Sequence, residues 1–564
     1  MFPETTTSLQ ESPFSSGTVT VPQFVSPTGF DDIDGLLDRW QWAESEITFS
    51  FPDSFSLDYA ADYARYNSHF ASFGQATDNL QTVVKQWLSS IADVSGLTFI
   101  EFDGPDNSDT ADANALLRVA MSNNPLTAYA YTPDDSDEAA DVWFNKDTYG
   151  AWFDQAQIGE YAWHTIGHEI LHALGLKHGH EGGGVSNVAL PLTQDSMEFT
   201  IMTYRSYENQ VVTGAYANAY GNYAQTLMML DIQALQTLYG ANYNTYEGDT
   251  QYSFSSTTGE LLINGESQGQ PVRNTVFRTI WDGNGTDTYN LSNYNTSLKI
   301  DLKPGGYVDL DQDGNRQRAL LGQAEQIYAR GHVFNSLLFE DDSRSLIENA
   351  IGGSGSDEIQ GNRTDNRLDG GDGDDTIAGA DGADILLDGA GEDVLTGGAA
   401  SDRFILEADG DRDRITDFTV GIDELDLSAW EITDLSQLQL TVNPSMLELT
   451  FGQESLELDN VDADTFDVTT IIGVTGQVTT TDAASDPSVE SNDDTSANSD
   501  TTDSTPTDSD NPGTNDITNG EPDSPAPPDI PDIPDTTRLT CSDNPCPSQH
   551  TCCSIRINSS CFTW

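Results

Sequence analysis

HEILHALGLKH, residues 168–178, decides how the rest of the chain reads. It places histidines at 168, 172 and 178, a glutamate directly after the first, and a glycine three residues after the second. His168 and His172 are one helical turn apart, so both imidazoles leave the same helix face and meet one small cation. Gly175, lacking a Cβ, ends the helix in a left-handed conformation, which lets His178 reach that cation from outside it. Three neutral nitrogen ligands with an open fourth position describe a catalytic zinc, because a structural site normally fills all four places with protein. Glu169 is then the natural general base. A bare HExxH also occurs on ordinary helices with surface histidines. The longer HExxHxxGxxH pattern constrains more positions and argues against that reading.

The 564 residues are too many for one core, and roughly three or four units are expected. Lys and Arg number 22 against 93 Asp and Glu, a formal charge of -71. Nucleic acid is excluded as a partner, since nothing would offset its phosphates. Divalent cations or a high-salt medium are the expected counterparts. No apolar run is long enough to span a membrane. The N-terminus, MFPETTTSLQESPFSSGTVTVPQF, has neither a basic region nor an apolar stretch of the signal-peptide kind. All five cysteines lie between Cys541 and Cys561, so the rest of the chain folds without disulfides.

Residues 1–27 are rich in Ser, Thr and Pro and read as a leader or propeptide, making the chain a zymogen. Residues 28–245 form the zinc domain, of α+β class. Ile47, Phe49 and Phe51 alternate as in a first strand, and Val83, Val84, Trp87, Leu88 and Ile91 mark an amphipathic helix over 75–94. LTFIEF, ALLRVAMS and DVWFN (141–145) are further strands, and LTAYAY (126–131) is a candidate edge strand able to bind an extended peptide through main-chain hydrogen bonds. A last helix over 227–243 has Asp231 as its candidate N-cap and stops at Gly240.

The eleven-residue motif resembles that of the metzincin metalloproteases. Met202, in FTIMTYRSY, lies 24 residues after His178, where that family has a methionine turn beneath the histidines. Met202 followed by Tyr204 resembles the serralysin form, and the likeness implies that Tyr204 is a phenolic zinc ligand that also stabilises the transition state. Two departures stand out: Gly179 follows the third histidine where the family has proline, and Thr203 replaces a serine in the methionine turn.

The second half carries a repeat. Counting in nines from Gly352 gives GGSGSDEIQ, GNRTDNRLD, GGDGDDTIA, GADGADILL, DGAGEDVLT and GGAASDRFI. The eighth residue is always apolar (Ile359, Leu368, Ile377, Leu386, Leu395, Phe404), and the sixth is Asp or Asn. This is the signature of a calcium-binding parallel β-roll, which a flexible acidic linker would not keep in register. The expected calcium set is Gly352, Gly353, Gly355 and Asp357; Gly370, Gly371, Gly373 and Asp375; Gly379, Asp381, Gly382 and Asp384; Gly391 and Asp393; and Asp402. Asn366, and the glycines missing from the last unit, suggest that some turns lack a full site. WDGNGTDTYNLSNY adds a loop with Asp282 and Asp287 as candidate calcium ligands, also similar to the serralysin pattern.

The expected segments after the zinc domain are a connecting β region, 246–351; the all-β roll, 352–405; a cap, 406–478; a disordered acidic linker, 479–538; and a Cys-rich tail, 539–564, which weakly resembles half a granulin module. The cap resembles that of secreted repeat-in-toxin proteins, which implies type I export without an N-terminal signal; the residues following it sit uneasily with that route. Taken together, these features lead to the expectation of a secreted, monomeric zinc endopeptidase of broad specificity. It would act on proteins and peptides, hold one catalytic Zn2+ and several structural Ca2+, and meet an export machinery. The competing reading is a calcium-dependent binding or adhesion protein with a vestigial protease domain.

Overall fold

The computed structural model describes residues 21–53, 67–102, 115–474 (apart from 137, 213–214 and 444), 556–557 and 560–561. The chain divides into two units, 1–482 and 483–564. Of the second, only an antiparallel pair, Arg556–Ile557 with Ser560–Cys561, falls among the described residues. The acidic linker, most of the Cys-rich tail and residues 1–20 of the leader lie outside them.

The leader expected to run to residue 27 already contains structure. Strand β1 (Pro22–Phe24) pairs antiparallel with β2 (Trp40–Trp42), Phe24 lies 4.2 Å from the Trp40 ring, and Val25 is buried. These few apolar residues suffice to attach the segment to the domain.

Behind them a six-stranded sheet is built from β3 (Glu46–Ser50), β4 (Thr98–Glu101), β5 (Leu117–Ser122), β6 (Ala128–Ala130) and β7 (Asp141–Asn145), in the order β4-β3-β5-β7-β6, with Gly74–Gln75 pairing β5. All neighbours on this path are parallel except β6, which runs antiparallel to β7 along the sheet edge. Helix α1 (Asp78–Val94) begins at Thr77, whose side chain accepts the Leu80 N–H, and buries Leu80, Val83, Val84, Trp87, Leu88, Ile91 and Val94. It packs on α2 (Tyr161–Ala173), the helix that carries the first two histidines. The approach is close because Gly167 faces Trp87: a Cβ there would sit 2.6 Å from the indole, whose N–H donates to the Trp163 carbonyl.

From Gln251 onward the first unit is built on a double sheet. Strands separated by nine residues alternate between the two sheets, so residues 18 apart stack in parallel: Ile359, Ile377 and Leu395 on one side, Leu368, Leu386 and Phe404 on the other. All six are buried. Both sheets extend past the repeat. Tyr289 pairs with Ala350 and Ile300 with Ile359, although a long insertion separates them, and after the last unit Leu395 pairs with Ile415 and Phe404 with Leu425. The boundaries expected at 352 and 405 thus fall inside continuous sheets. A hairpin, Leu320–Gly322 with Ile327–Tyr328, reaches the N-terminal part that carries α2, where the Ala219 N–H donates to the Leu320 carbonyl.

Candidate metal centre

Helix α2 ends at Ala173 with Leu174 as its C-cap, and Gly175 follows at φ +103°; a Cβ there would lie 2.6 Å from the Trp40 carbonyl oxygen. This reversal brings His178 back to the helix. The Nε2 atom of His178 lies 3.0 Å from that of His172 and 3.1 Å from that of His168. Each ring is fixed from its far side: Nδ1 of His168 bonds the Ile201 carbonyl at 2.7 Å, Nδ1 of His172 the Leu176 carbonyl at 2.8 Å, and Nδ1 of His178 faces Glu181 Oε1 at 3.2 Å. Those acceptors require the proton on Nδ1, so the three Nε2 lone pairs converge with no proton to share. Such a donor set fits a cation and little else. Burial, then the neighbouring imidazoles, holds His178 at about 2 and His168 well below its usual range, so both are neutral as ligands must be. His168 is buried while His172 and His178 are partly exposed, which leaves one side of the triad toward the surface.

Glu169 is 7% exposed. Burial lifts its carboxyl to about 8, opposed by the N–H of Ala130, which donates to it from edge strand β6. The base candidate and the edge on which an extended chain would lie are therefore joined directly.

Met202 is fully buried under the triad region, and its carbonyl accepts the Gly179 N–H at 3.0 Å. A proline at 179 would lack that donor, so the departure at this position adds a bond between the third histidine and the methionine turn. Thr203 keeps a hydroxyl, which donates to Asp195. The turn is clamped by Asp231, which accepts from the Thr200 hydroxyl (2.6 Å) and the Ile201 and Met228 N–H groups (both 2.9 Å). Asp231 is therefore not the N-cap of α3 (Met229–Tyr239); Met228 is, and Asp231 lies within the first turn, folded back over it. We expect Asp231→Ala to strand three buried donors, costing about 1–3 kcal/mol for each left unsatisfied. Lowered thermal stability together with weakened zinc retention on dialysis would report it. Gly175→Ala should cost about 1–3 kcal/mol through its backbone conformation alone, and more because of Trp40; a melting temperature equal to that of the unsubstituted chain would contradict this.

The ring of Tyr204 stands 4.3 Å from that of His178 and 6.0 Å from that of His168. Tyr216 lies behind it, donating to the Thr203 carbonyl at 2.8 Å. Glu181, Ala130, Tyr216 and Asp231 went unassigned as site residues. In sequence, Ala130 falls in the candidate edge strand and Asp231 at a helix start, and Glu181 stands three residues after His178.

The calcium candidates divide. In the third, fourth and fifth repeat units, Oδ1 of Asp375, Asp384 and Asp393 accepts the N–H of Asp357, Asn366 and Asp375 respectively, each at 2.7 Å, while Oδ2 is buried with no partner. Burial raises Asp375 to about 8 and Asp384 and Asp393 to about 7. Gly371, Gly373, Gly382 and Gly391 all adopt positive φ, and a Cβ on Gly370 or Gly379 would run into the unpaired oxygen of its own unit. Buried, unanswered carboxylate oxygens in glycine-lined turns fit a hard cation. Asp402 is likewise buried and bonds the Asp384 N–H, whereas Asp381 is exposed at the rim of its turn.

The first two units differ. Oδ2 of Asp357 already accepts the Gly353 N–H at 2.7 Å, and Gly352, Gly353 and Gly355 have no positive φ. In the second unit the Asn362 amide donates to the Ile347 and Leu302 carbonyls and the Asn366 amide to the Glu348 carbonyl. Amide protons stand there where the later units leave oxygens unanswered. Asp282 and Asp287 are buried together, raised mainly by burial to about 9 and about 6, with Oδ2 of Asp287 unpartnered.

Comparison with known proteins identifies the family. Residues 241–316 and 342–483 match the family model described as peptidase M10 serralysin C terminal. The chain is 36% identical to a serralysin of Proteus mirabilis over 68% of this chain and 74% of that protein, and 34% identical to the metalloprotease AprA of Pseudomonas entomophila over 71% and 76%. Serralysin B of Dickeya chrysanthemi is 34% identical over 56% of this chain and 58% of its own length. With the histidine triad, the methionine turn and the roll in one chain, the protein belongs to the serralysin family.

Proposed function

We propose that this chain is a secreted, zinc-dependent endopeptidase whose β-roll is ordered by calcium. Family membership supports a secreted metalloprotease, and no helix among the described residues is long and apolar enough to cross a membrane. The observation that carries the zinc reading is the convergence of three Nε2 atoms whose Nδ1 partners are already chosen. Zinc held by His168, His172 and His178 would supply Lewis-acid polarisation of a water and of a scissile carbonyl. Glu169 takes the proton from that water and returns it to the leaving amine. Tyr204, whose hydroxyl burial keeps protonated, donates a hydrogen bond to the oxyanion. Strand β6 aligns the substrate backbone, giving binding with little side-chain selectivity, hence broad specificity.

The same assignment proposes residues 28–245 as a metzincin domain and the double sheet behind it as the calcium-binding part. The calcium candidates are Asp375, Asp384, Asp393 and Asp402 with the turn glycines, and Asp282 with Asp287. An intact ligand set, base and methionine turn weigh against a vestigial protease. Casein hydrolysis abolished by a zinc chelator is the expected result; a purified, folded chain with no hydrolysis would favour the adhesion reading.

A further inference from the structure

The fifth repeat unit carries aspartate where the other five begin with glycine: Asp388, against Gly352, Gly361, Gly370, Gly379 and Gly397. At that position in neighbouring units a Cβ would run into the sixth-residue carboxylate of the same unit, so the side chain of Asp388 is directed against Asp393. Asp413, from the strand Arg412–Ile415 that pairs with Val394–Ala399, completes the group. Asp388, Asp393 and Asp413 each offer a carboxylate oxygen within 4.8 Å of the others, and they are 1%, 1% and 3% exposed.

The group is not closed on itself. Asp388 accepts the N–H of Gly389 (2.7 Å) and of Glu407 (2.9 Å), and Asp413 Oδ1 accepts the Asp393 N–H at 3.2 Å. Oδ2 of Asp393 is fully buried and has no partner. The nearby arginines are committed elsewhere, Arg403 to Asp426, Arg412 to Glu457 and Arg414 to Asp459. Three buried carboxylates with one oxygen unanswered and no basic partner among the described residues require either protons or a cation.

We infer that Asp388, Asp393 and Asp413 form a three-carboxylate site for a hard divalent cation, calcium in the protein's setting, and that it is the tightest cation site of the roll. The inference rests on the calcium reading of the roll given above, but Asp388 stands where the other units have glycine and Asp413 lies past the last unit. Affinity for calcium rises with the number of charged ligands and the rigidity of the site, and this turn has both.

The test is calcium content of the full chain across a series of chelator-buffered free calcium concentrations, for the unsubstituted protein, Asp388→Asn and Asp388→Gly. The glycine variant restores the residue that the other units tolerate, so loss of fold is avoided. The expected result is one ion retained at free calcium about tenfold or more below that which empties the other sites, and its loss from that class in both variants. Retention of the tight ion by either variant, or a roll that binds calcium with no tight class, overturns this inference and leaves the calcium reading standing. A chain that binds no calcium at any concentration overturns both.

Discussion

Glu169→Gln is expected to lower casein hydrolysis by about 10²–10⁴-fold while leaving bound zinc unchanged. The side chain sits beside the triad but contributes none of the converging nitrogens, so the metal content should not follow the activity. Glutamine keeps the shape and still accepts the Ala130 N–H, which isolates the loss of a proton acceptor from any disturbance of the edge strand. By contrast, His172→Ala should lose zinc and activity together. A glutamine variant with near-native turnover would remove Glu169 from the base role.

Calcium removal should unfold the roll at neutral pH, and acid should partly replace calcium. Asp375, Asp384, Asp393 and Asp413 are raised from 3.8 to about 8, 7, 7 and 7 in the folded, cation-free chain, burial being the largest cause in each. Between pH 4 and pH 7 the folded state therefore binds more protons than the unfolded state. The stability this gives is fully present below the unfolded value and is lost as pH rises through 7–8. The chelated protein should accordingly show a cooperative roll melt at pH 5.5 that is lost by pH 8. With calcium bound the carboxylates must be ionised, and the sign reverses: stability rises with pH. Circular dichroism melts at both pH values, with and without calcium, check the pair of signs; full roll structure at pH 8 without calcium would contradict the coupling.

The converging histidines were legible because helical periodicity and one glycine fix where all three go. The repeat was legible because parallel stacking demands an apolar residue every ninth position. What escaped notice depended on contacts between distant residues. Tyr289 and Ile300 belong to the same ladders as Leu368 and Ile359, but the insertion between them breaks the count of nine. After Leu395 the turns lengthen, so Ile415 and Leu425 stack on the roll without a repeat to announce them. Asp231 looked like a cap because it opens a helical pattern; its buried carboxylate instead serves the methionine turn. The difference between Asp357 and Asp375 is invisible in sequence, since both occupy the same repeat position and only the folded chain shows the Gly353 N–H on Asp357 and the change in glycine conformation. Asp388 was visible, as an aspartate in a glycine's place, but its meaning required Asp413 beside it.

Titrating zinc back into the metal-stripped, calcium-loaded chain while following casein hydrolysis tests the central claim most directly. Hydrolysis should rise in proportion to added zinc and saturate at one ion per chain, bound by His168, His172 and His178. Full hydrolysis by the stripped chain before any zinc is added would contradict it.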